Sequence, residues 1–178
     1  MSKKKITINY LKKKLNKLGK KKIFFITGKK SFKKSGAKFF FEPLIKNKDY
    51  NFFYKVKSYP DISELKSLIL QIKKHNPNLI FAVGGGAVMD LSKIANFLCY
   101  SKNIKSDIMK SNYNYKKVFC NLIAIPTTAG SGAEATSNAV IYINKKKFSV
   151  ESNLIKPNNF CLIPDFIKKN NFKLKSAS

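Results

Sequence analysis

Short apolar runs that end in small residues alternate with amphipathic segments along the first 125 residues. The clearest run, residues 79–83, leads straight into Gly84-Gly85-Gly86, after which apolar residues recur at helical spacing. A continuous apolar run that stops at glycine is typical of a strand buried on both faces of a parallel sheet. The alternation therefore predicts an α/β fold, in which helices flank a parallel sheet.

The same patterns predict the order of the elements. We expect strands at residues 23–27, 51–56, 79–83, 122–125 and 159–163. We expect helices at residues 6–18, 31–46, from Asp61 to Pro77, and from Ala87 onwards. A hairpin is expected around Asn144-Lys145-Lys146, and residues 101–117 are expected to form a surface connection.

Local signals mark the ends of two predicted helices. In the helix at residues 31–46, Gly36 weakens the pattern and Pro43 is expected to end or kink it. The next helix begins with Asp61, followed three residues later by Glu64. This spacing is typical of a capped helix start, in which a side chain accepts hydrogen bonds from backbone N–H groups.

The charge of the chain bears on possible nucleic-acid binding. The sequence has 36 basic and 9 acidic residues, a net charge of +27, and every basic residue is lysine. Proteins that recognise nucleic acids rely on arginine for bidentate and stacking contacts. An all-lysine excess beside abundant Asn, Ile and Phe favours drift in an AT-rich genome. We expect no specific nucleic-acid partner, only weak and salt-sensitive binding to polyanions.

Other features bear on the compartment. No apolar run approaches the ~20 residues that cross a bilayer, and no secretory signal follows the basic start. Cys99, Cys120 and Cys161 lie far apart and form no CxxC motif, which disfavours a disulfide framework or a zinc finger. The single histidine, His75, is expected on the surface at the end of a helix. We therefore expect a cytoplasmic protein without membrane contact.

Two loops of small residues follow predicted buried strands, where α/β sheets bind ligands. Gly84-Gly85-Gly86 lets the backbone approach a ligand, and the following helix aims its positive end at the same place, as a pyrophosphate requires. Spacing alone leaves a second interpretation open, a tight turn in which Asp90 completes the first helical turn. In the second loop, residues 126–136, three threonines and a serine offer more hydroxyls than a simple turn needs.

These two loops carry a resemblance to a known family. Residues 84–93, Gly-Gly-Gly-Ala-Val-Met-Asp-Leu-Ser-Lys, resemble the GGGSxxDxxK segment of iron-type alcohol dehydrogenases. Residues 126–136 resemble the PTTAGTGSExT loop of the same family, and the order and separation of the motifs also agree. The form of the threonine loop distinguishes the chain from dehydroquinate synthase and glycerol-1-phosphate dehydrogenase. The resemblance extends over roughly residues 10 to 178.

The resemblance implies that residues 1–178 form a Rossmann-like domain binding NAD(H) or NADP(H). It also implies that these residues assist hydride transfer between the coenzyme and a small alcohol or aldehyde. In the family, an all-helical domain follows and holds a divalent metal, iron or zinc. By position, the glycines would face the pyrophosphate, Asp90 the nicotinamide side and Lys147 the ribose. The implied coenzyme-binding residues are Gly84, Gly85, Gly86, Asp90, Thr127, Thr128, Ser131 and Lys147.

The chain departs from the family pattern after its first predicted strand. Many NAD-dependent members have an aspartate there that accepts hydrogen bonds from the ribose, whereas this chain has Gly28-Lys29-Lys30-Ser31. Losing a carboxylate and gaining two ammonium groups favours a 2′-phosphate, so we expect Gly28, Lys29 and Lys30 to bind NADP(H). Ala87 replaces the usual serine, and Lys147 has an alternative as one solvated lysine among 36.

The family's metal ligands lie beyond the segment matched by residues 175–178. No cluster of His, Cys and carboxylates in this sequence has metal-ligand spacing, so we expect neither a metal ligand nor a catalytic residue. The leading hypothesis is therefore a truncated or split nucleotide-binding half, inactive alone. It would act as a homo-oligomer or with a complementing C-terminal fragment. The alternatives are a non-catalytic nucleotide-binding module and a basic nucleic-acid-binding protein.

Overall fold

A computed structural model of the chain describes residues 4–19 and 21–171. Six parallel strands form one sheet in the order β1-β8-β5-β4-β2-β3, and β6 and β7 form a separate antiparallel hairpin. The strands are β1 (Lys4–Lys5), β2 (Ile23–Gly28), β3 (Tyr50–Lys55), β4 (Leu79–Gly84), β5 (Asn121–Pro126), β6 (Asn138–Ile143), β7 (Lys146–Glu151) and β8 (Asn159–Phe160). The fold-class prediction, a Rossmann-like α/β sheet, is confirmed.

Seven α-helices accompany these strands within the described residues. They are α1 (Ile8–Asn16), α2 (Lys29–Lys34), α3 (Ala37–Ile45), α4 (Ile62–His75), α5 (Gly86–Phe97), α6 (Ile104–Met109) and α7 (Pro164–Asn171), and a 3₁₀ turn, Leu98–Tyr100, extends α5. None of the helices in this part of the chain is long and apolar enough to cross a membrane.

The sheet separates two apolar cores. On one face, side chains of α1, α2, α3 and α7 pack against alternate residues of the central strands, with Phe25 and Phe81 at the centre. On the other face, α4, α5 and the hairpin cover Phe24 and Ile80. Because β2, β4 and β5 are buried on both faces, their sequences are continuous apolar runs rather than alternating patterns.

The strand order determines where a ligand can bind. Counted from β2, the chain forms β3-β2-β4-β5-β8, the 2-1-3-4-5 order of one common doubly wound sheet. The order reverses between β2 and β4, and the loops that leave their carboxyl ends turn to opposite faces of the sheet. This divergence opens a crevice at the switch point, the usual ligand position in such folds.

Most predicted elements are observed close to their expected positions. The hairpin turns through Asn144 and Lys145, both with positive φ, as its two-residue loop requires. Asp61 caps α4 by accepting a 2.9 Å hydrogen bond from the Ser63 N–H. The helix expected at residues 31–46 is split instead at Gly36, whose φ of 81° favours glycine. Pro43 does not end the helix, because α3 continues to Ile45, and the alternative that Pro43 kinks it stays a prediction.

Four further features differ from the sequence prediction. The segment expected to be a surface connection contains α6, whose Ile108 is buried. Neither strand β1 nor helix α7, whose first residue is Pro164, was predicted. The side chain of His75 is only 11% exposed, because its ring packs on Phe24 and Nε2 lies 3.1 Å from a carbonyl of β2. The segment at residues 175–178 lies outside the described residues.

Candidate nucleotide-binding site

An open groove of about 690 Å³ borders the carboxyl ends of β2 and β4. It lies at the point where the strand order reverses, and the two turns that leave these strands form its walls. The loop after β3 completes one rim. Six residues singled out in the sequence line this groove: Gly28, Lys29, Lys30, Gly85, Gly86 and Thr128.

Helix α5 begins at the edge of the groove. Its N-cap, Gly85, supplies no side-chain cap, and the Gly85 carbonyl accepts hydrogen bonds from the N–H groups of Val88 and Met89. The N–H groups of Gly86 and Ala87 have no acceptor within the helix, as in any first helical turn. Such groups and the positive end of the helix dipole bind phosphate well. The arrangement therefore fits the pyrophosphate of a dinucleotide.

At each of the three glycines, an added side chain would meet a different neighbour. None of the three has a positive φ. A Cβ at Gly84 would lie 2.6 Å from a methyl group of Val88, inside the protein. A Cβ at Gly85 would lie 3.0 Å from the Thr128 hydroxyl, and one at Gly86 would lie 3.2 Å from the Ser131 Cβ. The glycine turn and the threonine loop therefore lie against each other. A side chain at Gly85 or Gly86 would enter the space between them.

Gly84→Ala is expected to lower the free energy of unfolding by about 1–3 kcal/mol, because the added methyl group overpacks the start of α5. Urea denaturation followed by circular dichroism measures the change. The double variant Gly84→Ala/Val88→Ala should recover only part of it, because the Val88 Cβ itself lies 2.7 Å from the added atom. Stability equal to that of the wild type would show that α5 shifts freely at this point.

Four lysines border the groove, and two of them already have acidic partners. Lys57 Nζ lies 2.7 Å from Asp61 Oδ1, and Lys55 Nζ also forms an ion pair. Lys29 and Lys30 are exposed and, among the described residues, form no ion pair. These two ammonium groups are therefore the ones available to an anionic ligand.

A buried ion pair stabilises the conformation of the loop after β3. Lys55 Nζ donates to the carbonyl groups of Lys57 and Tyr59 and lies 3.3 Å from Glu64 Oε2. Glu64 Oε1 accepts from the N–H groups of Val56 and Lys57 at 2.7 and 3.2 Å, instead of capping its own helix. Burial lowers the pKa of Lys55, and Glu64 opposes this shift. This rim was not predicted from the sequence.

The threonine loop, residues 126–136, leads from the end of β5 towards β6 beside the glycine turn. Thr127 is fully buried, and its N–H donates a 2.9 Å hydrogen bond to the Gly84 carbonyl. Thr128 and Ser131 are exposed beside Gly85 and Gly86. The structure thus places two of the three predicted hydroxyls next to the glycine turn and one beneath it. Their contacts with a coenzyme stay predictions.

Asp90 and Lys147 lie on the hairpin side of α5. Asp90 Oδ2 accepts a 3.2 Å hydrogen bond from the Val140 N–H. Burial raises the pKa of Asp90, while this hydrogen bond and the charges of Lys93 and Lys147 oppose the shift. Lys147 is exposed on β7. Both residues lie near each other and outside the lining of the groove, and their coenzyme roles stay predictions.

Lys93 was quoted in the sequence motif but given no role, and the structure buries it to 1% exposure. Its Nζ donates to the Ala133 carbonyl at 3.0 Å, to Thr136 Oγ1 at 3.1 Å and to the Asn138 carbonyl. Burial lowers the pKa of Lys93 to about 8, while Asp90 and Glu134 oppose the shift. A lysine three residues after an aspartate, within an apolar helix, is the sequence signal for this buried group.

The described residues contain no group of three or more His, Cys, Asp or Glu side chains arranged to hold a metal ion. These residues therefore supply no ligand set for the metal that the family resemblance implies. Residues 3–164 match the sequence model of the iron-containing alcohol dehydrogenases. The chain belongs to this family.

The matches to curated relatives in this family cover only part of the chain and a smaller part of each relative. The mitochondrial hydroxyacid-oxoacid transhydrogenase of Caenorhabditis elegans is 31% identical over 120 residues, covering 62% of this chain and 25% of the relative. The alcohol dehydrogenase of Thermococcus barophilus is 27% identical over 113 residues, covering 60% of this chain and 28% of the relative. The chain thus spans about a quarter of each relative's length.

Solved structures of the family share the fold over almost the whole chain. The sulfoacetaldehyde reductase of Bifidobacterium kashiwanohense, solved with NAD⁺, is 25% identical with a TM-score of 0.78, covering 92% of this chain and 45% of the neighbour. The NADH-dependent butanol dehydrogenase A of Thermotoga maritima is 23% identical with a TM-score of 0.79. It covers 93% of this chain and 43% of the neighbour. The chain corresponds to less than half of either enzyme.

Proposed function

We propose that the chain binds a nicotinamide dinucleotide and serves as the coenzyme-binding part of an alcohol dehydrogenase. The observation that carries the proposal is the contact between the glycine turn and the threonine loop at the switch point, beside the start of α5. Gly85 and Gly86 would hold the pyrophosphate. The exposed hydroxyl groups of Thr128 and Ser131 would donate hydrogen bonds to the coenzyme or accept them from it. The bound coenzyme supplies hydride chemistry.

The complete enzyme would convert a small alcohol to its aldehyde, or the reverse. Family resemblance supports this class, and the relatives' names include alcohol and hydroxyacid chemistry. A metal-holding helical part would complete the site, either in a longer chain or in a complementing fragment, and a homo-oligomer in the cytoplasm is the expected setting. Without such a part, we expect nucleotide binding and no turnover.

The first test measures the binding of NADPH and of NADH to the purified chain. Nucleotide fluorescence is the readout, at low and at moderate salt. Specific binding should persist at moderate salt, because hydrogen bonds from the backbone are screened less than exposed charges. Loss of binding at moderate salt, equal for both coenzymes and an unrelated polyanion, would show that lysine charge alone is responsible. That result would contradict the proposal.

We further propose that the coenzyme is NADP(H), bound through its 2′-phosphate by Lys29 and Lys30. Lys29→Ala/Lys30→Ala is expected to weaken NADPH binding about 10-fold and to change NADH binding little, because charge-assisted hydrogen bonds to phosphate are lost. The matched control, Lys33→Ala/Lys34→Ala, removes the same charge from the far end of α2, outside the groove. Equal losses for NADPH and NADH would contradict the 2′-phosphate assignment.

A further inference from the structure

A buried ammonium group on α5 forms three hydrogen bonds, two with the threonine loop and one with the first residue of β6. Lys93 Nζ has three N–H groups, and its three acceptors are the Ala133 carbonyl, Thr136 Oγ1 and the Asn138 carbonyl. All donors of the ammonium are therefore used inside the protein. Since no acidic oxygen is among these partners, the ammonium binds the loop rather than a single counter-ion.

The same face of α5 also holds the first residues of β6. Lys93 binds the Asn138 carbonyl, and Asp90 accepts from the N–H of Val140, two residues further along the strand. Outside its ladder with β7, β6 makes a further backbone hydrogen bond of 2.9 Å, from the Tyr142 N–H to the Pro60 carbonyl. The side chains of Lys93 and Asp90 thus bind backbone groups of β6 that a neighbouring strand would bind in a sheet. These two contacts fix the position of β6 along α5.

The loop is consequently held at both ends. At its start, the Thr127 N–H binds the Gly84 carbonyl, and at its end Lys93 binds Ala133, Thr136 and Asn138. The residues between these ends include Thr128 and Ser131, which lie against the glycine turn. With its ends held, this short segment has few ways to move away from the turn.

We propose that Lys93 is a positioning residue, whose ammonium holds the threonine loop against the glycine turn before any nucleotide binds. Lys93 does not line the groove, and its three hydrogen-bond partners are not among the predicted coenzyme-binding residues. Its effect on a ligand is therefore indirect, through the loop. The effect on coenzyme affinity rests on the proposed function, whereas the order of the loop in the nucleotide-free protein does not.

Burial and the neighbouring groups act in opposite directions on the charge of Lys93. Burial lowers the pKa of Lys93 to about 8, Asp90 on α5 and Glu134 in the loop oppose the shift, and Lys147 on β7 lies close to Asp90. The three hydrogen bonds from Nζ also favour the charged form, so the acceptors in the loop and in β6 hold the ammonium against the cost of its burial.

Hydrogen exchange of the nucleotide-free chain tests the proposal. The reporter is the Ala135 amide, which binds the Gly132 carbonyl within the loop, and amides of β4 serve as the internal reference. Lys93→Met is expected to lower protection of the loop about 10-fold, because carbonyl groups are left without their donor.

Two further variants separate positioning from a general loss of structure. Lys93→Arg keeps donors and charge and should restore part of the protection, and Lys73→Met on the exposed face of α4 should change nothing. If Lys93→Met does not fold, Thr136→Val removes a single acceptor and should lower loop protection alone. Unchanged loop protection in folded Lys93→Met, or in Thr136→Val, would overturn the proposal. A loss of NADPH binding without a change in loop exchange would also overturn it.

Discussion

Replacing Gly85 with valine is expected to weaken NADPH binding about 100-fold while the fold remains intact. The backbone at this position, φ −84° and ψ −174°, is extended and suits valine, so the substitution brings no backbone strain. Its side chain would instead enter the space beside Thr128, where even a Cβ lies 3.0 Å from the hydroxyl oxygen. Titration of nucleotide fluorescence measures affinity, and the thermal midpoint reports the fold.

The adjacent glycine provides the contrast for this result. Gly84→Ala adds its methyl group inside the protein against Val88, so it should lower stability more than affinity. Gly85→Val should do the opposite, because its side chain lies in the groove. Coenzyme affinity that is unchanged in Gly85→Val would place the nucleotide elsewhere. It would also leave the glycine turn with the purely structural role that the sequence left open.

The central strands were predictable because they are buried on both faces. For β4 and β5, a continuous apolar run has only one explanation once a glycine or proline ends it, and both strands are observed within one residue of the prediction. Strand β1 consists of two exposed lysines and carries no hydrophobic signal. Helix α6 was missed because its lysine, serine and aspartate are common in loops, and only Ile104 and Ile108 face the core.

The candidate site was predictable where its chemistry resides in the backbone. Glycine turns after buried strands are visible in a sequence, and parallel topology brings them to one edge of the sheet. Lys55 and Lys93, both buried among the described residues, were harder to assign, because a chain with 36 lysines gives little sign of which of them are buried. Their partners are mostly backbone carbonyls of loops, whose positions depend on the folded chain. The position of Lys93 in an apolar helix is a sequence signal for burial, but its acceptors become visible only when the structure is known.

Phe25→Ala is expected to lower the free energy of unfolding by about 3–5 kcal/mol, the largest effect on stability that we predict. The Phe25 ring is fully buried in the centre of β2 and lies 4.9 Å from the Phe52 ring, 5.1 Å from Phe81 and 5.2 Å from Phe41, between centroids. Alanine would leave a cavity among rings that belong to three neighbouring elements. Because small domains are stable by about 5–15 kcal/mol, this loss brings the chain close to unfolding.

Phe39→Ala is the matched control, because it removes the same ring from α3, where Phe39 is 87% exposed, and should change stability by less than about 0.5 kcal/mol. Urea midpoints of both variants and of Phe25→Leu, which should recover part of the loss, give the comparison. Equal midpoints for Phe25→Ala and Phe39→Ala would contradict the burial of β2 between β3 and β4. β2 ends at Gly28 and is followed by Lys29, so its carboxyl end contributes to the groove. We expect Phe25→Ala to lower nucleotide binding only in proportion to its loss of folded protein. A loss of affinity per folded molecule would show that this core also sets the shape of the groove.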